Sequence, residues 1–191
     1  GIKNLQYYHL VTRKPMYVGQ KINFDKTHKN RLYYFFLDNN FKSTSNESLD
    51  QIINRLDSTN EHEDLSFLKD SLSHTSRAIR EVITEMTRLE YFPLLPSRFE
   101  CLYGSDSLQG VLEWKELFES YNRDIIQIVK LETTGPLFKG NAALLPSLEN
   151  SSFLEKIDQA KKYWSSTAEN HLTEVLIGGE ILVTEIIEDF Q

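Results

Sequence analysis

Residues 173–187 read TEVLIGGEILVTEII, two β-branched runs on either side of Gly178-Gly179. Such runs favour strands. Two adjacent glycines both accept positive φ, which a two-residue hairpin turn demands. The stretch predicts a terminal β-hairpin, and the elements upstream of it decide the fold. DIIQIVKLET (124–133) is β-branched and reads as a buried strand, and Gly135-Pro136 turns the chain after it. FECLYGS (99–105) is short and aromatic, again a strand. YYHLVT (7–12) alternates, with Tyr8, Leu10 and Thr12 on one face and Tyr7, His9 and Val11 on the other.

Helical spacing fills the gaps between these runs. Leu49, Ile52, Ile53 and Leu56 mark one helix, and Leu65, Leu68 and Leu72 a further short one. SRAIREVITEMTRLEYF (76–92) carries an apolar stripe at Ile79, Val82, Ile83, Met86 and Leu89, closed by Pro93 and Pro96. Ser105 or Asp106 can cap LQGVLEWKELFESY (108–121). Ser152 and Glu155 fit a capping box for a helix through Ile157, Ala160 and Trp164. LYYFFL (32–37) is apolar without interruption, and periodicity does not separate strand from helix there. Residues 38–46, DNNFKSTSN, read as a loop. The order is a strand, a mostly helical insert over 38–92, then strands mixed with helices. That is α+β in a single domain spanning 1–191, not a regular βαβ series.

Bulk numbers exclude several classes. The 191 residues are 40% hydrophobic and 26% charged, ordinary for a globular protein. Net charge is −7, so nonspecific attraction to nucleic acid is not expected. The charge is uneven: residues 1–35 hold seven Lys or Arg and one Asp, so this basic third can face an anionic ligand or simply be solvated. Cys101 is the only cysteine, which removes intrachain disulfides and cysteine zinc sites. No apolar run reaches the ~20 residues of a membrane helix. A cytoplasmic protein with no membrane partner is the expectation. The glycine-rich dinucleotide fingerprint, the phosphate loop, HExxH and GxSxG are all missing, and His9, His28, His62, His74 and His171 show no zinc-ligand spacing. No metal is expected.

Four segments carry a resemblance: YYHLVTRKPMYVGQKINFDKTHKN (7–30), PSRFECLYGSDSLQGVLEWKELF (96–118), IIQIVKLETTGPLFKGNA (125–142) and TEVLIGGEILVTEI (173–186). Together and in this order, they resemble a bacterial family of uncharacterised proteins that we group with the ADP-ribosyltransferase-like fold. The resemblance implies a split β-sheet core with the helical insert between the first strand and the later ones. In that fold an early strand supplies His or Arg, a middle strand Tyr or Ser, and a late strand Glu, all to one cleft. Here those would be His9 in YHLVT, Tyr103 in CLYGS and Glu174 in TEVL, similar to the histidine-tyrosine-glutamate class of NAD-dependent transferases.

The roles that the resemblance implies are specific. His9 would hold a ribose hydroxyl, since imidazole donates and accepts at once. Tyr103 would stack on nicotinamide. Thr12, Arg13, Arg98 and Ser105 would complete the NAD site, with arginine forking onto pyrophosphate. Glu174 would face the cation that builds as the nicotinamide–ribose bond breaks. Leu10 follows His9, and Leu172 stands two before Glu174, where arginine-modifying transferases carry Glu or Gln; the acceptor stays open. Each residue also has a plain reading. His9 can bond backbone at a strand end, Tyr103 can be a core aromatic, Glu174 can be an exposed hairpin residue, and Arg98 can pair with Glu90 or Glu100 at the surface. The alternative to an enzyme is a non-catalytic nucleotide-binding or interaction module on the same fold. A third reading makes the YYFF run (33–36) the face of a homodimer.

Overall fold

A computed structural model describes residues 5–39, 46–56, 62–148, 150–166 and 173–191. The chain is α+β with two antiparallel sheets. The first sheet has the order β1 (Leu5–Val11), β4 (Gln127–Thr133), β7 (Gly179–Asp189), β2 (Lys21–Phe24). The second has the order β3 (Leu102–Gly104), β6 (Thr173–Ile177), β5 (Leu137–Asn141). Tyr8 and Ser105 exchange two backbone hydrogen bonds of 2.8 Å, which stitch the edge of β3 to β1.

The terminal hairpin expected at Gly178-Gly179 does not form. β6 and β7 belong to different sheets and do not pair. A two-residue hairpin needs positive φ at both central residues or at the first, whereas only Gly179, the second, has it, at 70°. The chain bends there and crosses from one sheet to the other. β4 and β5 make the same crossing at Gly135-Pro136, and the two crossings lie against each other. Gly178 N–H donates to the Pro136 carbonyl at 2.9 Å, and a Cβ on Gly135 would run into the Gly178 carbonyl oxygen. The glycines are there for close approach of two backbones, not for chain reversal.

The main core sits between the sheets. Tyr7 and Val11 of β1, Val129 and Leu131 of β4, Val175 and Ile177 of β6, and Ile181 and Val183 of β7 meet there. Strand periodicity puts Glu174 and Leu176 on the other face of β6. That outer face carries a second cluster of Cys101, Phe138, Leu176, Tyr163 and Trp164, the last two from α5 (Phe153–Ser165). Helix α4 (Leu108–Ser120) covers the outer face of the first sheet with Val111, packed against Leu10, Ile125 and Ile128.

LYYFFL resolves as a helix, α1 (Arg31–Phe36), capped by Asn30. The Asn30 amide also ties Arg98 O at 2.7 Å and Cys101 O at 2.9 Å, so α1 is pinned to the segment entering β3. α2 (Leu49–Arg55) begins at a capping box on Ser48, and α5 begins at the box read from Ser152 and Glu155. The cap of α4 is Ser107, two positions beyond Ser105. Ser105 cannot serve, because its backbone is spent on the bridge to Tyr8.

The largest departure concerns α3 (His62–Tyr91). The two helices expected there form one continuous helix of 30 residues. Its apolar stripe does not face the body. Its buried positions are polar: Asp64, Ser71, Glu81, Thr84, Thr87 and Arg88. Amphipathic spacing sets an axis but not which side faces in, and here inward polar groups have partners. Arg55 clamps Asp64 with bonds of 2.8 and 2.7 Å, Arg88 donates to Leu95 O at 2.8 Å, and Thr84 and Thr87 bond back to Arg80 O and Ile83 O. No helix among the described residues is long and apolar enough to cross a membrane.

Candidate functional site

The site is built on the outer face of the second sheet. Tyr103 on β3 pairs with Leu176 on β6, and directly opposed residues share a face, so Tyr103 and Glu174 emerge on the same side. Opposite Glu174 on β5 is Gly140. A Cβ there would stand 2.7 Å from the Tyr163 ring, so the glycine makes room for that ring beside Glu174. Glu174 is 8% exposed and is not the exposed residue of a hairpin.

Arg98 fills the space these groups enclose. It is buried, and its guanidinium donates to Glu81 at 2.8 and 3.2 Å, to the Tyr163 hydroxyl at 2.9 Å, and to Glu174. Tyr163 in turn donates to Glu174 at 2.6 Å. Tyr103 sends its hydroxyl to Arg98 O at 2.8 Å, and its ring lies 5.2 Å from the guanidinium carbon. Arg98 therefore pairs with Glu81 and Glu174 inside the protein, not with Glu90 or Glu100 at the surface. Glu100 pairs with Lys29 instead.

The electrostatics follow from this packing. Burial opposes the Arg98 cation, but the carboxylates of Glu174 and Glu81 outweigh it and hold its pKa above the ordinary value. Burial likewise pushes the Glu81 carboxyl up, and Arg98, with Arg80 and Arg77 behind it, more than reverses that, leaving it below its ordinary value. Burial keeps the Tyr103 and Tyr163 phenols well above theirs, so both remain neutral donors. Burial also raises the Cys101 thiol, which removes it as a nucleophile.

His9 joins the same network from the other sheet. Its Nδ1 lies 2.6 Å from Tyr103 O. A carbonyl only accepts, so Nδ1 carries the proton and Nε2 keeps its lone pair. Burial lowers the imidazole pKa to about 4, and the bond to Tyr103 offsets only part of that. His9 is therefore neutral at pH 7, with one nitrogen tied to backbone and one uncommitted. His9, Tyr103 and Glu174 come from three strands and two sheets; Tyr103 and Glu174 bond Arg98, while His9 reaches only the backbone carbonyl of Tyr103.

The remaining expected site residues are spread more widely. Thr12 is half-buried just past β1, and Arg13 is exposed beside it. Ser105 is buried, with its backbone in the bridge to Tyr8. Sequence reading missed five residues. Glu81 and Tyr163 complete the charge network. Arg77, Arg80 and Arg123 have no carboxylate partner among the described residues. Arg80 Nε is buried without a hydrogen-bond partner. Burial lowers the Arg123 pKa, helped by the positive charges of Arg13 and Arg77. Those guanidiniums are thus close enough to act on one another, in a chain of net charge −7. The signal for part of this set was the spacing of Arg77, Arg80 and Glu81, which share one helical face.

Among the described residues no three His, Cys, Asp or Glu side chains gather as a metal ion requires. An open depression lined by Ser147, Asn150, Ser151 and Gln159 lies at the start of α5 and includes none of the residues above. No curated protein matches the chain. One family model covers nearly all of it, from residue 7 to residue 189. The chain belongs to the family described as protein of unknown function (DUF2441).

Proposed function

We propose that this protein binds NAD and breaks the bond between nicotinamide and ribose, as an ADP-ribosyltransferase or an NAD glycohydrolase on an ADP-ribosyltransferase-like fold. The observation that supports the reading is that Tyr103 and Glu174 both hydrogen-bond Arg98, with His9 bonded in turn to the Tyr103 carbonyl. The bare Nε2 of His9 accepts a ribose hydroxyl while Nδ1 is held by Tyr103 O. The Tyr103 ring, its hydroxyl fixed on Arg98 O, is a rigid platform for the flat nicotinamide ring. Arg13, together with Arg77, Arg80 and Arg123, offers unpaired guanidiniums to the pyrophosphate. The electron pair of the glycosidic bond leaves with neutral nicotinamide, and the cation left at ribose C1′ meets the Glu174 carboxylate. Water or a nucleophile on an acceptor then adds at C1′ and loses its proton.

A specific observation favours a second reading, a nucleotide-binding or interaction module without chemistry. The Glu174 carboxylate is already held by Arg98 and Tyr163. Titration calorimetry with NAD, followed by chromatographic detection of nicotinamide with wild type and Glu174→Gln, separates the two. The enzyme reading expects release that falls about 10²–10³-fold in the variant, the size of one preorganised charge contact. Binding with no release in wild type supports the module. Neither binding nor release removes both.

A further inference from the structure

Helix α3 shows solvent the side that amphipathic helices usually hide. Leu65 is 52% exposed, Leu72 69%, Met86 64% and Leu89 58%, while Leu68, Ile79 and Val82 are half-buried. These residues have a regular spacing. Residues 65, 72, 79 and 86 recur every seven, and 68, 75, 82 and 89 repeat the pattern three residues on. Only Thr75 among the eight is polar. An alternating 3,4 repeat over four heptads is the pattern of a seam between two helices, and it winds too slowly to match a flat sheet or a pocket.

Among the described residues, the side chains that tie α3 to the body lie on its polar side, with Asp64 and Ser71 at the edge of the seam. Asp64 meets Arg55, His74 Nε2 donates to Phe35 O, Glu81 meets Arg98, and Arg88 donates to the carbonyls of Pro93 and Leu95. Leu65, Leu72, Met86 and Leu89 of the seam are therefore left exposed, while Leu68, Ile79 and Val82 are partly covered. From residue 65 to residue 89, at 1.5 Å per residue, the stripe is about 36 Å long. The other long helices of the described chain, α4 and α5, have 13 residues each and are already packed on the sheets. A partner of matching length and matching repeat exists in a second α3.

We propose that two copies of this chain dimerise through α3, antiparallel, with residues 65–89 of each copy forming a two-helix seam. Length argues for this occupant, because self-pairing about residue 77 buries all four heptads of both copies. A stable interface needs ~1,200–2,000 Å², and Leu65, Leu72, Met86 and Leu89 of each copy, all more than half exposed, would supply its apolar centre. Charge sets the direction. Lys69 and Glu90 flank the seam on one edge at opposite ends, so antiparallel pairing brings each Lys69 to the end that carries Glu90 of the other copy, and it also opposes the helix dipoles. Ala78, near the crossing point, lets the two backbones approach. This interface is separate from the YYFF run, where Phe36 is buried and Phe35 is occupied by Arg77 and His74. It does not depend on the NAD reading.

The test is the mass in solution. Light scattering on the full chain at tens of micromolar is expected to give twice 22.3 kDa. Leu72→Glu and Met86→Glu sit on exposed side chains, so circular dichroism is expected to match wild type while the mass halves. The dimer dissociation constant should rise by about 100-fold or more. Oxidation tests the direction: a mixture of Thr75→Cys and Ile79→Cys chains should form mixed disulfide dimers, whereas Thr75→Cys alone should not. A wild-type monomer, covered by some other protein or by none, overturns the proposal. So does a dimer whose mass both glutamate variants leave unchanged. Efficient cross-linking of Thr75→Cys alone overturns the antiparallel arrangement.

Discussion

Replacing Arg98 with Met removes one cation and leaves two carboxylates buried without it. Glu81 is 3% exposed and Glu174 8%. Breaking a buried ion pair by deleting one partner costs about 3–5 kcal/mol, because the survivor has lost both water and its counter-charge. Total stability for a domain is about 5–15 kcal/mol. With a urea slope of about 2 kcal/mol per molar, the unfolding midpoint should fall by about 2 M. The pH dependence should also change sign. In wild type the Glu81 pKa lies below its unfolded value. Its contribution is therefore full above pH ~4.3 and is lost as pH falls through the folded pKa. In Arg98→Met burial no longer has an opponent, so the buried carboxyls bind protons more tightly folded than unfolded. That variant should gain stability from these carboxyls as pH falls from 7 toward 5, where the Glu81 contribution in wild type stays flat and the His9 contribution common to both proteins declines. Urea melts read by tryptophan fluorescence at pH 7, 6 and 5 measure both. Parallel pH curves for the two proteins, or a midpoint shift under ~0.5 M, would refute the account of Arg98 as the charge holding Glu81 and Glu174 in place.

Three further outcomes follow from the same geometry. Tyr163→Phe deletes a hydroxyl that donates to Glu174 and accepts from Arg98, and should cost about 1–3 kcal/mol in the same melts; no measurable loss argues that water replaces it. His9 should titrate in an NMR pH series with a midpoint of about 4. Its neutral form is the one the fold prefers, so stability is full above ~6.5 and declines as pH falls toward 4, and His9→Asn, which keeps a donor for Tyr103 O, should flatten that decline. Gly135→Ala should destabilise by about 1–3 kcal/mol through the clash with Gly178, and a neutral result would mean the two crossing strands can separate.

The strands and most helix ends were legible because their signals are local. Alternation in YYHLVT, the β-branched run at 128–133 and the capping box at Ser152 depend only on neighbours in sequence. The error at Gly178-Gly179 came from the same locality. A glycine pair signals freedom of backbone, and sequence does not say whether the chain will spend it on reversing direction or on passing close to Gly135, 43 positions earlier. Site membership was legible only through resemblance. It named His9, Tyr103 and Glu174, of which Tyr103 and Glu174 bond Arg98 and His9 bonds the Tyr103 carbonyl, but Glu81 and Tyr163 carry no motif. They became part of the site because β3, β5 and β6 align in one register and Gly140 leaves space opposite Glu174.

Orientation of α3 joins both problems. A helix with one apolar and one polar stripe can bury either, and hydrophobic burial alone favours the apolar one. The body of this protein presents α3 with Arg98 and Arg55, buried or half-buried cations that need carboxylates. Glu81 and Asp64 lie 17 residues apart on the polar side and answer both, and Thr84, Thr87 and Arg88 satisfy their own donors within the helix or at its end. Turning the helix over would bury Leu72 and Met86 but strand two cations and expose two carboxylates, and an unpaired buried charge costs more than a pair of apolar side chains returns. The charge that organises the site thereby fixes the apolar stripe outward. Loss of Glu81 should consequently disturb both the network around Arg98 and the seating of α3, while Leu72→Glu should leave the network intact.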